Sequence, residues 1–103
     1  MIRVTLHGKG GLITGFECTG HACFAEEGSD IVCAAVSILT TTCANALESV
    51  AGLKPLVKAA PGKMILVLPD GSGHDAQVIL KTMRQGLRDL KDAYPDYLLL
   101  KEN

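Results

Sequence analysis

From Asp30 to Ala51 the sequence is apolar round most of a helix, and in a chain of 103 residues that segment dictates what the rest must build. Val32, Val36, Leu39, Cys43, Leu47 and Val50 fall into one stripe at helical spacing. Ile31, Ala35, Ile38 and Ala46 form a second stripe beside it. A helix apolar on two sides needs two covers. A sheet supplies one, and a second copy of the chain is a plausible other. Asp30 is the expected N-cap, with Ser29 as the alternative, and Gly52 is the expected stop.

The sheet is legible on either side of that helix. Ile2, Val4 and Leu6 alternate with Arg3, Thr5 and His7, which reads as a half-buried strand. Gly8–Gly11 is a turn, and Leu12 to Thr19 returns as its hairpin partner. Leu56 to Ala60 and Lys63 to Leu68 make a second strand pair around Pro61-Gly62. A second helix is expected from His74 to Tyr94, where Pro95 stops it. Its buried stripe is Ala76, Leu80, Met83, Leu87, Leu90 and Tyr94. Tyr97 to Lys101 is the last strand. The order β-β-α-β-β-α-β predicts an α+β fold: one domain over residues 1–103, a two-layer split-βαβ plait with an extra N-terminal strand, and two helices on a mixed or antiparallel sheet.

Composition excludes several functions. Ten basic against eleven acidic residues give a net charge of −1, and the only aromatics are two Tyr and two Phe. A nucleic-acid binder wants a basic face and stacking rings, so direct nucleic-acid contact is not expected. The core must be aliphatic. No apolar run is read as reaching the roughly 20 residues that span a bilayer, and the alternating N-terminus reads as a strand, not a signal peptide. A cytosolic protein follows, with no membrane contact and its four cysteines as thiols.

Those cysteines are not equivalent. Cys43 lies in the apolar stripe and Cys18 shares a strand face with Phe16, so both read as packing. Cys33 would be the third helical residue after an Asp30 cap. Unpaired N–H groups and the helix dipole there favour a thiolate and a developing oxyanion. His21, at the end of the second strand, can approach it if the intervening loop folds back. A Cys–His pair is the minimum set for nucleophilic acyl transfer. Ser37 lies one turn beyond Cys33 on the same face, in a polar stripe with Thr40, and Asp30 could orient His21. Cys23, in the loop near His21, is the rival thiol. A zinc site from Cys18, His21, Cys23 and Cys33 is disfavoured: there is no Cys-x-x-Cys, and strand alternation turns Cys18 and His21 to opposite faces. His7 and His74 read as surface residues. No metal or other cofactor is expected.

The motif Gly20-His21-Ala22, followed after a short loop by Gly28-x-Asp30-Ile31-Val32-Cys33-Ala34-Ala35-Val36-Ser37, resembles the signature of the ribosomal-processing cysteine proteases called Prp. The likeness extends over essentially the whole chain. It implies a bacterial cytosolic endopeptidase, homodimeric, that removes a short N-terminal extension from the precursor of large-subunit ribosomal protein twenty-seven, after an aromatic-rich stretch. By residue it implies Cys33 as nucleophile and His21 as general base, with Gly20, Asp30 and Ser37 supporting the site. The loop from Cys23 to Ser29 departs in carrying an extra thiol with Glu26 and Glu27, which bears on substrate entry. No clear third triad member stands out, and Asp30 is the candidate.

Two other readings compete. One is a non-enzymatic module that binds a ribosomal or assembly partner, with Cys33 merely buried. The other is a redox switch pairing Cys23 with Cys33.

Overall fold

Two glycines in the left-handed region set the first hairpin. Gly10 and Gly11 have φ of +60° and +81°, the backbone that a two-residue turn needs to follow strand twist. The computed structural model describes residues 1–20, 27–69 and 73–103. In it β1 spans Ile2–Lys9 and β2 spans Leu12–Thr19, so β1 runs two residues further than the alternation suggested. Between His7 and Gly8 the register slips: His7 faces Gly15, but Gly8 faces Ile13. The extra residue lets Ile13 turn inward with Phe16 and Cys18 despite its odd position.

The remaining elements are α1 (Glu27–Ser49), β3 (Leu56–Ala60), β4 (Lys63–Val67), α2 (Gly73–Ala93) and β5 (Leu98–Glu102). The five strands form one mixed sheet in the order β3-β4-β2-β1-β5, with only β1 and β5 parallel. The α+β order and the two helices are as expected. The extra strand is not an appendage: β1 is inserted between β2 and β5 inside the sheet.

One aliphatic core lies between the sheet and the helices. Val4, Leu6, Phe16, Leu66 and Leu98 meet Val32, Val36 and Leu47 of α1 and Ala76, Leu80, Met83 and Leu87 of α2, all nearly inaccessible. Each large apolar side chain buried this way contributes about 1.5–3 kcal/mol. The α2 spacing of 76, 80, 83 and 87 is the one-sided stripe read from sequence. Gly86 lets α1 approach: a Cβ there would lie 2.8 Å from Leu39 Cδ2.

In the first stripe Val32, Val36, Cys43 and Leu47 are in the core and Leu39 packs against it partly buried, whereas Val50, one residue past the end of α1, is 69% exposed. The second stripe finds no complete cover among the described residues: Ile31 is 52% and Ile38 66% exposed. The stretch Ile31–Ser49 is long and apolar enough to cross a membrane by composition, which corrects the reading that no apolar run approaches that length. Its inward side chains instead pack on the sheet, as in a core helix.

Candidate active site

α1 begins at Glu27, three residues before the expected cap. Gly28 and Ser29 weaken a helix by about 1 kcal/mol or less each, too little to stop a long cooperative one. Asp30 is therefore inside the helix and is not its N-cap. Cys33 becomes the seventh helical residue instead of the third. Only the first four N–H groups of a helix lack carbonyl partners, and the dipole acts within the first turn. The helix end therefore does not supply the Cys33 N–H as an oxyanion donor.

What surrounds Cys33 is a cleft of about 170 Å³ between α1 and the β3–β4 hairpin. Cys33, Ser37, Thr40 and Thr41 form its helical wall. Cys18 and Gly20 come from the end of β2, and Ala59, Ala60, Gly62, Lys63 and Met64 from the hairpin. The polar stripe Cys33–Ser37–Thr40 is thus a cleft wall, as its helical spacing allowed. Thr40 is buried and its hydroxyl donates to the Val36 carbonyl at 2.8 Å, so it is held by its own helix. Ser37 is exposed and Cys33 half-buried.

Gly20 is fixed from two sides. Its N–H donates to the Gly62 carbonyl at 3.0 Å, tying the end of β2 to the hairpin turn. Its φ is +102°, and a Cβ there would stand 2.4 Å from the Met1 carbonyl oxygen. Only glycine fits this corner without a shift.

Cys18 is where sequence reasoning missed most. It packs against the core, as read, but it is only partly buried and lines the same cleft as Cys33. Burial, and then the neighbouring Cys33, push its thiol pKa up. Burial alone raises that of Cys43, which lies in the core. Cys18, Cys33 and Cys43 are all free thiols. The register Cys18–Met64 across β2 and β4 brings the hairpin alongside, and nothing in the local sequence encodes that pairing.

His21 and Cys23 lie outside the described residues, as does the side chain of Asp30. Two of the four ligands of the zinc reading, His21 and Cys23, are thus outside the described residues. Among the described residues no group of His, Cys, Asp and Glu could hold a metal ion. A larger groove of about 940 Å³ lies between the β1–β2 turn and the start of α2, lined by His7, His74 and Gln77. None of the described residues lining it is a thiol, so the chemistry selects the smaller cleft.

The cysteine protease Prp family matches residues 1–99 of the chain. The chain belongs to the cysteine protease Prp family. Like other Prp proteins it is a thiol peptide hydrolase. It is 34% identical to the ribosomal processing cysteine protease Prp of Bacillus subtilis, over all of this chain and 98% of that one. The crystal structure of the essential ribosomal processing protease Prp from S. aureus with a substrate peptide superposes with a TM-score of 0.91 at 27% identity, covering both chains fully. A crystal structure from Streptococcus mutans gives 0.92 at 30% identity, covering 99% of this chain and 96% of that one. A further S. aureus Prp structure holds a covalently linked product peptide, with a TM-score of 0.89 at 28% identity.

Proposed function

We propose that this chain is the endopeptidase that trims the N-terminal extension from the precursor of large-subunit ribosomal protein twenty-seven, with Cys33 as nucleophile and His21 as general base. The observation that carries the reading is the position of Cys33 on the wall of a cleft bounded by an edge hairpin. An extended peptide in such a cleft can pair with strand backbone while its carbonyl meets the thiol. The relatives are ribosomal processing proteases, one with a substrate peptide and one with a covalently linked product, which supports both the substrate class and a covalent step.

The mechanism follows the chemistry of a Cys–His pair. His21 takes the Cys33 proton, and the thiolate attacks the scissile carbonyl carbon. The tetrahedral intermediate collapses as His21 returns the proton to the leaving amine, giving a thioester. Water, activated by the same imidazole, then releases the acid and restores the thiol. Gly20 supports the assignment of His21, because it lines the cleft and is bonded to the next residue. Ser37, on the cleft wall, contacts substrate. Asp30 orients His21.

The active form is a homodimer of single-domain chains of residues 1–103, in the cytoplasm. Exposed Ile31 and Ile38, seven residues apart on α1, supply an apolar face for the second copy.

The test is cleavage of the full ribosomal-protein precursor, followed by intact mass. Cys33→Ala is expected to abolish cleavage while circular dichroism and the unfolding midpoint stay near those of the parent. Undiminished cleavage by that variant overturns Cys33 as the nucleophile, whereas no cleavage by the parent chain favours the non-enzymatic binding module.

A further inference from the structure

The cleft holds two thiols, and the proposed mechanism uses one. Cys18 and Cys33 are both free, both partly accessible, and both line the same space of about 170 Å³. They come from different layers. Cys18 sits on β2, inside the sheet, paired across to Val4 of β1 and Met64 of β4. Cys33 sits on α1. Cys43, the third described thiol, lies in the core away from the cleft lining. The two cleft thiols also sense each other electrostatically, since charge on Cys33 makes Cys18 harder to ionise.

We propose that Cys18 is a resolving thiol for Cys33: a hydroperoxide converts the pair to a Cys18–Cys33 disulfide that switches the protease off and shields its nucleophile. The inference rests on the role of Cys33 given above. The Cys33 thiolate attacks the distal peroxide oxygen. The O–O bond breaks, an S–O bond forms, and the products are a Cys33 sulfenic acid and an alcohol or water. The Cys18 sulfur then attacks the Cys33 sulfur. The S–O bond breaks, hydroxide leaves with the Cys18 proton as water, and the disulfide forms. Two thiols have lost two electrons to one peroxide. A dithiol reductant returns them and restores the nucleophile.

Without a resolving partner the sulfenic acid proceeds to sulfinic and sulfonic acids, which thiols do not reverse. A thiol held protonated by burial is a poor first target for peroxide, which suits Cys18 to the second step and not the first.

The experiment treats the full chain with a small excess of hydrogen peroxide, maps linkages by non-reducing digestion and mass spectrometry, and measures precursor cleavage before and after dithiothreitol. The parent chain is expected to show a Cys18–Cys33 linked peptide, to lose cleavage, and to regain it on reduction. Cys18→Ser and Cys18→Ala are each compared with their own untreated activity. Both are expected to lose cleavage on peroxide without regaining it, with two or three oxygens added at Cys33. A Cys23–Cys33 linkage in the parent overturns the proposal, as does equal recovery by the parent and the Cys18 variants. The peptide map reads the linkage whether or not the chain cleaves its precursor, so failure of the protease assignment is told apart from failure of the switch.

Discussion

The N–H of Gly20 donates to the carbonyl of Gly62 at 3.0 Å, joining the last residue before the His21 loop to the turn of the edge hairpin. This bond joins two segments on the sheet side of the Cys33 cleft, the end of β2 and the hairpin turn, facing the α1 wall. It also explains why the Gly-His-Ala motif starts with glycine: the corner has φ of +102° and no room for a Cβ beside the Met1 carbonyl.

Gly20→Ala is therefore expected to cost about 1–3 kcal/mol of stability, from a left-handed non-glycine backbone. It should also lower kcat/KM by more than the loss of folded protein accounts for, because it re-aims the residue that follows. Urea unfolding and precursor cleavage on the same sample check both. Lowered stability with parental kcat/KM would remove Gly20 from the positioning of His21.

Gln77 of α2 closes the backbone of Ile13 at the far end of β2. The Ile13 N–H donates to Gln77 Oε1 at 2.8 Å, and Gln77 Nε2 donates to the Ile13 carbonyl at 2.9 Å. Beyond the last β2–β4 pair, Gly15 with Val67, this side chain stands in for a strand. A buried group left unmet costs about 1–3 kcal/mol, so Gln77→Leu is expected to lose at least about 2 kcal/mol. The urea midpoint should fall with little change in slope. Gln77→Glu should also fall at neutral pH, because a carboxylate oxygen then faces the Ile13 carbonyl in place of the Nε2 donor, and should recover in part at acid pH, where the protonated acid can donate.

Cys18 and Cys43 have thiol pKa values raised, in both cases chiefly by burial. The folded chain therefore holds these protons more tightly than the unfolded chain. That stabilisation is complete below the ordinary thiol range and is lost as pH rises through the raised values. Stability should decline in that alkaline window, and Cys43→Ala should flatten the decline. Limiting iodoacetamide at neutral pH should modify Cys33 ahead of Cys18 and Cys43, read by peptide mass.

Ile38 is 66% exposed on α1, one helical face from the core stripe and on the same side as exposed Ile31. If α1 forms the dimer contact, Ile38→Asp buries a carboxylate in an apolar interface and should shift sedimentation to the monomer while the unfolded baseline is unchanged. An unaltered sedimentation profile would place the contact elsewhere on the chain.

The elements were legible because each follows a local rule. Alternation gave β1, helical spacing gave α2, and Gly10-Gly11 gave the hairpin. The start of α1 was misread by four residues, Ile31 instead of Glu27, because Gly28-Ser29-Asp30 resembles a cap, while helix cooperativity runs through it. That error moved Cys33 from the first turn to the second and removed the helix end from its chemistry. The cleft itself was half legible. Cys33, Ser37 and Thr40 share a helical face by spacing alone. Cys18, Met64 and the Ala59-Ala60 edge join them through strand register, which pairs residues dozens of positions apart.

The sequence by itself determined the element order, the aliphatic core and the motif that carries the family, since these depend on periodicity and residue type along short stretches. Only the tertiary structure decided that β1 lies inside the sheet, that Gly20 is pinned between Met1 and Gly62, and that two cysteines read as unlike neighbours share one cleft. The physical reason is that sheet order and register are settled by which faces bury together, a property of the whole chain that no local window contains.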